Sequence, residues 1–284
     1  METKKEIKNI GFFTDKIFVS DNLPLLNSIP SESVDLICID PPFKLQKKLE
    51  NFDDVWKSME EYISFLEKRV IEMHRILKRG GSFYLHCDHH ASHYIKVMLD
   101  RVFDIDNFLN EIIWCFRGGG RGRYFARKHE TIFLYVKGNG YTFNEDFARV
   151  PYSESYGGGA YYYLKKKKAM PRSLRCGINS WNPDDRGKIM EDYWTDIPVL
   201  GSQSKNRSGY STQKPEELNE RFVLVSSNEN DIVADFFCGS GTAIVVAKKN
   251  HRRYIGCDVS KEAVAITRKR LKSLSSEGLE KYLE

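Results

Sequence analysis

The sequence predicts an α/β protein built on a mostly parallel sheet, and three observations support this class. Residues 33–39 form a near-continuous apolar run, as strands buried on both faces do. Amphipathic helical stripes alternate with such runs along the chain. Residues 232–258 read as strand, glycine turn, helix and strand. One such unit cannot cover both faces of a sheet, so its remaining strands must come from earlier in the chain.

The C-terminal unit predicts a pocket for an adenosine-bearing ligand. A short strand at 232–234 leads through Asp235, Phe236 and Phe237 into the turn 238–241, which reads Cys-Gly-Ser-Gly, and Thr242 opens the helix 243–247. Glycine lets the backbone approach a ligand because no Cβ stands in the way. The next strand, 253–257, ends on Asp258, whose carboxylate is placed to accept hydrogen bonds from ribose hydroxyls.

Two absences narrow the identity of that ligand. The third glycine of a dinucleotide fingerprint would fall at Ile244, and the chain contains no phosphate-binding Gly-x-x-x-x-Gly-Lys-Ser/Thr sequence. Both pyrophosphate cradles are therefore missing, which disfavours NAD and ATP. S-adenosylmethionine carries an adenosine without a phosphate and fits better. A plain tight turn between strand and helix is the alternative, and the acid at Asp258 argues against it.

The strand at 33–39 ends in the sequence Asp40-Pro41-Pro42-Phe43. Ligands of open α/β sheets bind at the carboxyl ends of strands, where these residues are expected. The Asp40 carboxylate and the Pro41 carbonyl can accept both hydrogens of an exocyclic base amine, which frees its lone pair to attack a sulfonium methyl. Phe43 can stack on an extruded base. The alternative is a stiff proline turn without catalytic function.

The other elements follow from periodicity. Apolar stripes predict helices at 60–78, ended by Gly80 and Gly81, and at 90–103, 216–226 and 261–274, with a short helix near 23–28. Strands are predicted at 17–20, 82–86, 110–114 and 131–136, and a mobile polar segment at 51–54. His86, Asp88, His89, His90 and His93 invite a metal site, but a strand end followed by a helix start predicts no converging ligands, so we expect no metal.

Composition suits a soluble protein of 284 residues with one large domain or one domain carrying an insertion. The N-terminus has no apolar core for a signal peptide, and no 18-residue apolar run occurs, so we expect a cytoplasmic protein without a membrane partner. The six cysteines are scattered, which predicts free thiols.

The positive charge is local. Residues 115–195 contain 15 Lys and Arg against 8 Asp and Glu, whereas the whole chain carries a net charge of +5. The segment is rich in glycine and tyrosine and includes four consecutive lysines, Lys165 to Lys168. Such a composition suits phosphate contacts and groove-entering side chains. A solvated insertion is the alternative, and for the lysine run alone it is the better interpretation.

Asp40-Pro-Pro-Phe43 followed much later by Phe237-Cys-Gly-Ser-Gly-Thr242 resembles the β class of amino-group DNA methyltransferases. Segments 81–88, 110–114, 193–197 and 209–216 agree, so the resemblance spans about residues 17–270. It implies a circularly permuted, Rossmann-like methyltransferase sheet: a catalytic half (1–137), a target-recognition insert (138–192) and an S-adenosylmethionine-binding half (193–284). Phe236 departs from the family's usual proline, which removes a stiffening residue but no ligand-facing group.

The resemblance implies an adenine-N6 methyltransferase acting on a flipped base in double-stranded DNA. The predicted catalytic residues are Asp40, Pro41, Pro42 and Phe43. The predicted cofactor residues are Asp21, Thr212, Gln213, Lys214, Pro215, Asp235, Phe236, Phe237, Cys238, Gly239, Ser240, Gly241, Thr242 and Asp258. Cytosine-N4 methylation is the nearest alternative, although the family's cytosine enzymes more often carry Ser at the position of Asp40. A nonenzymatic nucleic-acid-binding module and an RNA or protein substrate are weaker alternatives. A cognate restriction endonuclease and a homodimer stay open as partners.

Overall fold

The computed structural model describes residues 9–48, 53–118, 123–151, 186–201, 204 and 207–280. Its strands are β1 (Lys16–Val19), β2 (Val34–Ile39), β3 (Lys47–Lys48), β4 (Asp53–Asp54), β5 (Leu77–Cys87), β6 (Phe108–Cys115), β7 (His129–Val136), β8 (Arg149–Val150), β9 (Lys188–Ile189), β10 (Tyr193–Trp194), β11 (Ile232–Asp235) and β12 (Arg253–Asp258). The α-helices are α1 (Asn22–Leu26), α2 (Met59–Ile76), α3 (Ser92–Phe103), α4 (Glu216–Ser226), α5 (Thr242–Lys249) and α6 (Lys261–Glu280).

Eight strands form the central sheet in the order β1-β12-β11-β2-β5-β7-β6-β10. Neighbours are parallel except at β7, which runs antiparallel to both β5 and β6. The two C-terminal strands, β12 and β11, therefore lie between β1 and β2, and β2 pairs with β11 across nearly 200 residues of sequence, with Leu36 opposite Val233. The predicted α/β sheet with permuted strand order is confirmed.

Helices cover the sheet with the apolar faces that the periodicity predicts. Leu66, Val70 and Met73 on α2 are fully buried against Ile37 and Phe83 of the sheet in one core cluster. Burying each such side chain contributes roughly 1.5–3 kcal/mol, so the packed face accounts for the placement of α2. The strands β2 and β11 are buried along almost their whole length, as expected for a sheet covered on both sides.

Two local expectations were wrong. Gly80 and Gly81 do not end α2, which stops at Ile76; they lie inside β5. A Cβ on Gly81 would lie 2.9 Å from the Asp35 carbonyl oxygen, so glycine is required where β5 passes this backbone. The segment expected to be mobile includes Asp54, which is completely buried; residues 51 and 52 lie outside the described residues.

Residues Asn144–Glu191 form a separate compact unit, and the rest of the chain forms the unit that contains the sheet. The described part of the smaller unit is a short antiparallel ladder in which Arg149 lies opposite Ile189. Arg149 pairs with Glu145, and Arg186 with Asp146. The lysine run 165–168 and the glycine and tyrosine clusters at 157–163 lie outside the described residues.

Two compositional expectations can be compared with the described residues. Among these, Cys38, Cys87, Cys115, Cys238 and Cys257 are all free thiols, and four of them are buried. None of the helices in this part of the chain has the length and apolar character needed to cross a membrane.

Candidate active site

A cavity of about 440 Å³ opens at the carboxyl ends of β11, β12, β2 and β5. This volume lies in the range of small-molecule and cofactor sites. Its lining includes every predicted site residue except Pro215 and Gly241. These two residues do not line the cavity; buried Pro215 directly precedes α4, and Gly241 directly precedes α5. The topology therefore brings the two sequence-distant motifs to one site.

The glycine turn is shaped by two left-handed glycines. Gly239 has φ +48°, and a Cβ there would lie 3.1 Å from Tyr210 Cε1. Gly241 has φ +75°, and a Cβ would lie only 2.3 Å from Thr267 Cγ2. Non-glycine residues are strained at these angles, so both positions favour glycine before any ligand is considered. The Thr267 hydroxyl also donates to the Gly239 carbonyl at 3.0 Å, which fixes the turn against α6.

Asp235 and Asp258 hold this turn through backbone amides. Asp235 Oδ1 accepts from the Phe237 N–H at 2.9 Å, and Asp258 Oδ2 accepts from the Gly239 N–H at 2.8 Å. Burial raises the pKa of both carboxyls, and that of Asp235 well above its usual value. Asp258 Oδ1 also accepts from the Ser260 N–H at 2.8 Å. A carboxylate has about four acceptor positions, so each can accept a further hydrogen bond.

Asp21 and Phe236 join the first strand region to the glycine turn. Asp21 caps α1 through the Leu23 N–H and is gripped at both oxygens by Arg69, at 2.9 and 3.0 Å. Asn22 links this ion pair to the turn, because its amide donates to the Phe236 carbonyl at 2.7 Å. The Phe236 side chain is 1% exposed and belongs to the core. Phe236, where the family usually has proline, therefore gives up the stiffness of a proline and adds a buried apolar side chain to the core.

The Asp40 loop is rigidly supported. The Tyr62 hydroxyl donates to the Pro42 carbonyl at 2.7 Å. Buried Asp54 accepts the N–H groups of Lys44 and Leu45 at 3.0 and 2.7 Å, and the Trp56 indole N–H at 2.8 Å. Lys44 adopts φ +61°. Asp54 thus holds the backbone after Phe43 in a strained conformation, which explains why this polar residue is buried.

Lys214 reaches the Asp40 loop. Its ammonium lies 3.3 Å from Asp40 Oδ2 and 4.5 Å from the centroid of the Phe43 ring. The other Asp40 oxygen, Oδ1, is buried and has no hydrogen-bond partner among the described residues. A buried acceptor without a donor is costly in a folded protein, so Oδ1 is suited to a donor that a substrate brings.

The rest of the 212–215 segment shapes the opposite wall. Thr212 is exposed and lines the cavity. Gln213 Oε1 accepts from the Ser208 N–H and hydroxyl at 2.7 and 2.6 Å. The Lys214 carbonyl accepts a long hydrogen bond of 3.5 Å from the Thr242 hydroxyl at the start of α5. The segment is therefore attached to both the glycine turn and the Asp40 loop.

Sequence reasoning missed several lining or supporting residues: Tyr210, Trp56, Phe65, Glu130 and, except as a metal candidate, His86. Tyr210 is 6% exposed and packs over Gly239. Trp56 and Phe65 pack with ring centroids 4.8 Å apart. Glu130 is the second residue of the strand β7, and only the pairing of β7 with β5 and β6 shows that it faces His86. The one available signal was an acid at the start of an otherwise apolar strand.

Of the metal candidates, Asp88, His89 and His90 do converge, contrary to expectation, with ligand atoms within 4.8 Å of one another. These groups already have partners. Asp88 accepts from the His90 N–H and contacts its ring at 2.7 Å, and Arg127 lies 2.8 Å from His89 Nε2. A guanidinium on one ligand nitrogen disfavours a cation there. His86 contacts Glu130 instead.

The residues of the cavity fit S-adenosylmethionine. Among the described lining residues, the cations Arg69 and Lys214 are paired with Asp21 and Asp40, so a pyrophosphate would meet no unpaired cation. The lining includes five carboxylates and eight Phe, Tyr and Trp rings, which suit a cationic sulfonium. Gly239 leaves open the space that a side chain would fill.

Comparisons with known proteins agree with this geometry. The family model described as DNA methylase, for N6 and N4 methyltransferases, matches residues 34–269. The DNA adenine methyltransferase YhdJ of Escherichia coli K12 is 31% identical over 274 residues, which cover 95% of this chain and 87% of YhdJ.

Two solved structures show the same fold at low sequence identity. The cytosine-N4-specific PvuII DNA methyltransferase matches with a TM-score of 0.63 at 20% identity, over 90% of this chain and 85% of its own. The M1.HpyAVI–SAM complex matches with a TM-score of 0.59 at 20% identity, over 90% and 98%. The chain belongs to the N6/N4 amino-group DNA methyltransferases, which use S-adenosylmethionine as methyl donor.

Proposed function

We propose that this chain methylates the N6 amine of an adenine that is flipped out of double-stranded DNA. The observation that carries this proposal is Asp40 Oδ1, a buried acceptor without a donor at the cavity wall. The exocyclic amine of a flipped base supplies the missing N–H. Adenine is favoured over cytosine because Asp rather than Ser stands at position 40 and because the DNA adenine methyltransferase YhdJ is 31% identical. The Pro41 carbonyl is the second acceptor, and S-adenosylmethionine supplies the methyl group.

The roles of the Asp40 loop follow from its support. The bonds from Tyr62 and Asp54 hold the loop before substrate arrives, so little reorganisation is needed at the moment of reaction. Phe43 stacks on the flipped base, and the Lys214 ammonium over its ring strengthens that platform from the other side. Pro42 stiffens the turn between the acceptor and the platform.

The cofactor is held by the opposite wall. Asp258 accepts from the ribose hydroxyls with the lone pairs that the Gly239 and Ser260 amides leave free. The turn 238–242, with Asp235, Phe236 and Phe237, passes close to the cofactor, and Asp21 borders its adenine. Thr212, Gln213 and Pro215, at the start of α4, lie beside its methionine carboxylate, where helix dipoles favour an anion. The ammonium of Lys214 is shared with Asp40, so Lys214 contributes to both ligands.

DNA is bound by residues outside the cavity. The described part of the β6–β7 connection, residues 116–118 and 123–128, carries Arg117, Arg123, Arg127 and Lys128 beside exposed aromatics. It follows the carboxyl end of β6, the same edge of the sheet as Asp40. Basic groups there neutralise phosphates, and Phe125, 98% exposed, is available to enter the stack where a base has left. The insert 138–192 reads the target sequence.

The test is sequencing that distinguishes N6-methyladenine from N4-methylcytosine, on DNA from cells that express the chain or its Asp40→Ala variant. We expect N6-methyladenine in one recurring sequence, only with the unmodified chain. N4-methylcytosine would replace the proposal with the cytosine alternative. Unmodified DNA, together with S-adenosylmethionine-independent DNA binding, would favour a nonenzymatic module.

A further inference from the structure

Behind the Asp40 loop, two carboxylates share one ammonium. The Lys214 Nζ lies 3.3 Å from Asp40 Oδ2 and 3.3 Å from Glu130 Oε2. Glu130 also contacts His86, whose Nε2 is 2.7 Å from the same Oε2. Three strands of the sheet meet here, since Asp40 follows β2, His86 belongs to β5 and Glu130 to β7. No motif of the sequence drew attention to Glu130.

The arrangement is charged and largely shielded from solvent. The side chains of Lys214 and Glu130 are 15% and 20% exposed. Burial would raise the pKa of Glu130, but His86 and Lys214 hold that pKa at about 2. Burial would lower the pKa of Lys214, but Asp40 and Glu130 outweigh it and raise that pKa. Both groups therefore stay ionised at neutral pH, and Lys214 is drawn equally toward two carboxylates.

The two oxygens of Asp40 consequently differ. Oδ2 faces Lys214, whereas Oδ1 has no hydrogen-bond partner among the described residues and lies 3.8 Å from His86 Nδ1, beyond hydrogen-bonding distance. The 2.7 Å contact of His86 Nε2 with Glu130 Oε2 is close but is not aligned as a hydrogen bond. The His86 ring is packed between Phe43 and Trp114, with centroids 5.7 and 5.9 Å away, and cannot readily turn.

We propose that Glu130 is a positioning residue for methyl transfer, which restrains Lys214 and His86 so that Asp40 Oδ1 is kept for the target amine. This inference rests on the proposed function of Asp40. Without the charge of Glu130, Lys214 would be attracted to Asp40 alone and would compete with the amine for its oxygens. A misplacement of about 1 Å at a reacting group can lower a rate about 100-fold.

The test measures single-turnover methylation by Glu130→Gln, with S-adenosylmethionine and DNA affinities measured in parallel. The matched control is Glu111→Gln, an exposed carboxylate on the neighbouring strand β6. We expect Glu130→Gln to lower the rate about 30- to 100-fold while both affinities stay within about twofold. Glu130→Asp, which keeps the charge on a shorter arm, should lose about tenfold, and it carries the test if the Gln variant does not fold.

A purely structural Glu130 would not move the pH profile. Among the described residues, Asp40 and Glu130 face Lys214 directly, and His86 contacts Glu130. Further titratable groups interact electrostatically with Asp40: Asp235, Tyr62, Tyr210 and Cys87. Since Glu130 raises the pKa of Lys214, the alkaline limb of the rate should move to lower pH in Glu130→Gln. An unchanged rate and pH profile in either folded variant overturns the inference while leaving the function intact. An Asp40→Ala variant with normal turnover overturns the function itself.

Discussion

The cavity has two ends that handle buried acids in opposite ways. At the glycine-turn end, Asp235 and Asp258 are satisfied by backbone amides, and burial raises the pKa of both. At the end that we propose to be catalytic, which comprises Asp40, Phe43, His86, Glu130 and Lys214, side chains neutralise one another, and the pKa of Glu130 is held at about 2. Backbone amides fix a surface for binding, whereas paired side chains leave one acceptor poised for chemistry. The two ends should therefore fail separately.

Asp40→Ala should give the largest difference between the two ends, by lowering the methylation rate while leaving cofactor binding nearly unchanged. Removing one preorganised acceptor typically lowers a rate by about 10²–10³. S-adenosylmethionine affinity should change little, because Lys214 keeps Glu130 as a partner. Single-turnover kinetics and calorimetry measure the two effects. Normal methylation by this variant would show that the loop is only a stiff turn.

Gly239→Val should do the reverse. Its φ of +48° and the Tyr210 ring 3.1 Å from the new Cβ force the turn to move. We expect S-adenosylmethionine affinity to fall by at least about tenfold, since strain of this kind costs about 1–3 kcal/mol. Gly138→Val is the control, because Gly138 has φ +74° with open space around it. Equal affinity in folded Gly239→Val and the native chain, measured by calorimetry, would remove the turn from the cofactor site.

Phe43→Ala should weaken retention of the flipped base without affecting the cofactor. Stacking of a base on an aromatic ring is worth about 1–3 kcal/mol. A 2-aminopurine at the target position should therefore fluoresce less in the complex with the variant than with the native chain. Phe12→Ala, 51% exposed, is the control. An undiminished signal would argue that Phe43 does not contact the base.

Stability measurements sharpen the contrast in acid. The pKa of Glu130 is lowered from 4.5 to about 2, so its contribution is present above pH 4.5 and is lost as the pH falls toward 2. Glu130→Gln should lower the free energy of unfolding by about 3 kcal/mol at pH 7. At pH 3 the loss should be smaller by about 2 kcal/mol. Urea unfolding at both values, beside Glu111→Gln, gives the difference. A loss of unfolding free energy that does not depend on pH would mean that the charge of Glu130 does not stabilise the folded protein.

The smallest effect is expected outside the cavity. Replacing Lys165 to Lys168 by alanine should flatten the salt dependence of DNA binding, by up to about 0.9 in slope for each phosphate that the variant no longer neutralises. The methylated sequence should not change. An unchanged slope would support the interpretation of this run as solvated surface, and a changed sequence would mean that the lysines read bases.

The fold and the outline of the cavity were predictable because they depend on local patterns. Asp40 and Gly239 are marked by prolines and glycines whose backbone restrictions can be read from a few neighbouring residues. Glu130, Tyr210 and Asp54 carry no such mark, because their roles depend on strand register and on contacts across long stretches of chain. His86 was noticed for the wrong reason: its histidine neighbours suggested a metal, whereas its partner lies on an antiparallel strand 44 residues later. The sequence of the smaller unit, Asn144–Glu191, has a distinctive composition but no periodic apolar pattern, so its role in target recognition stays a prediction.

The strand order also has a consequence for folding during synthesis. At the edge of the sheet, β1 pairs only with β12, and Lys16 lies opposite Ile255. A ribosome must therefore make most of the chain before β1 can find its partner, and contacts so distant in sequence form slowly. Until then the apolar Ile17 side chain and an unpaired strand edge are open to other nascent chains. The first strand of the sheet to be made is among the last to be protected, and a chaperone that shields it would raise the yield of active protein.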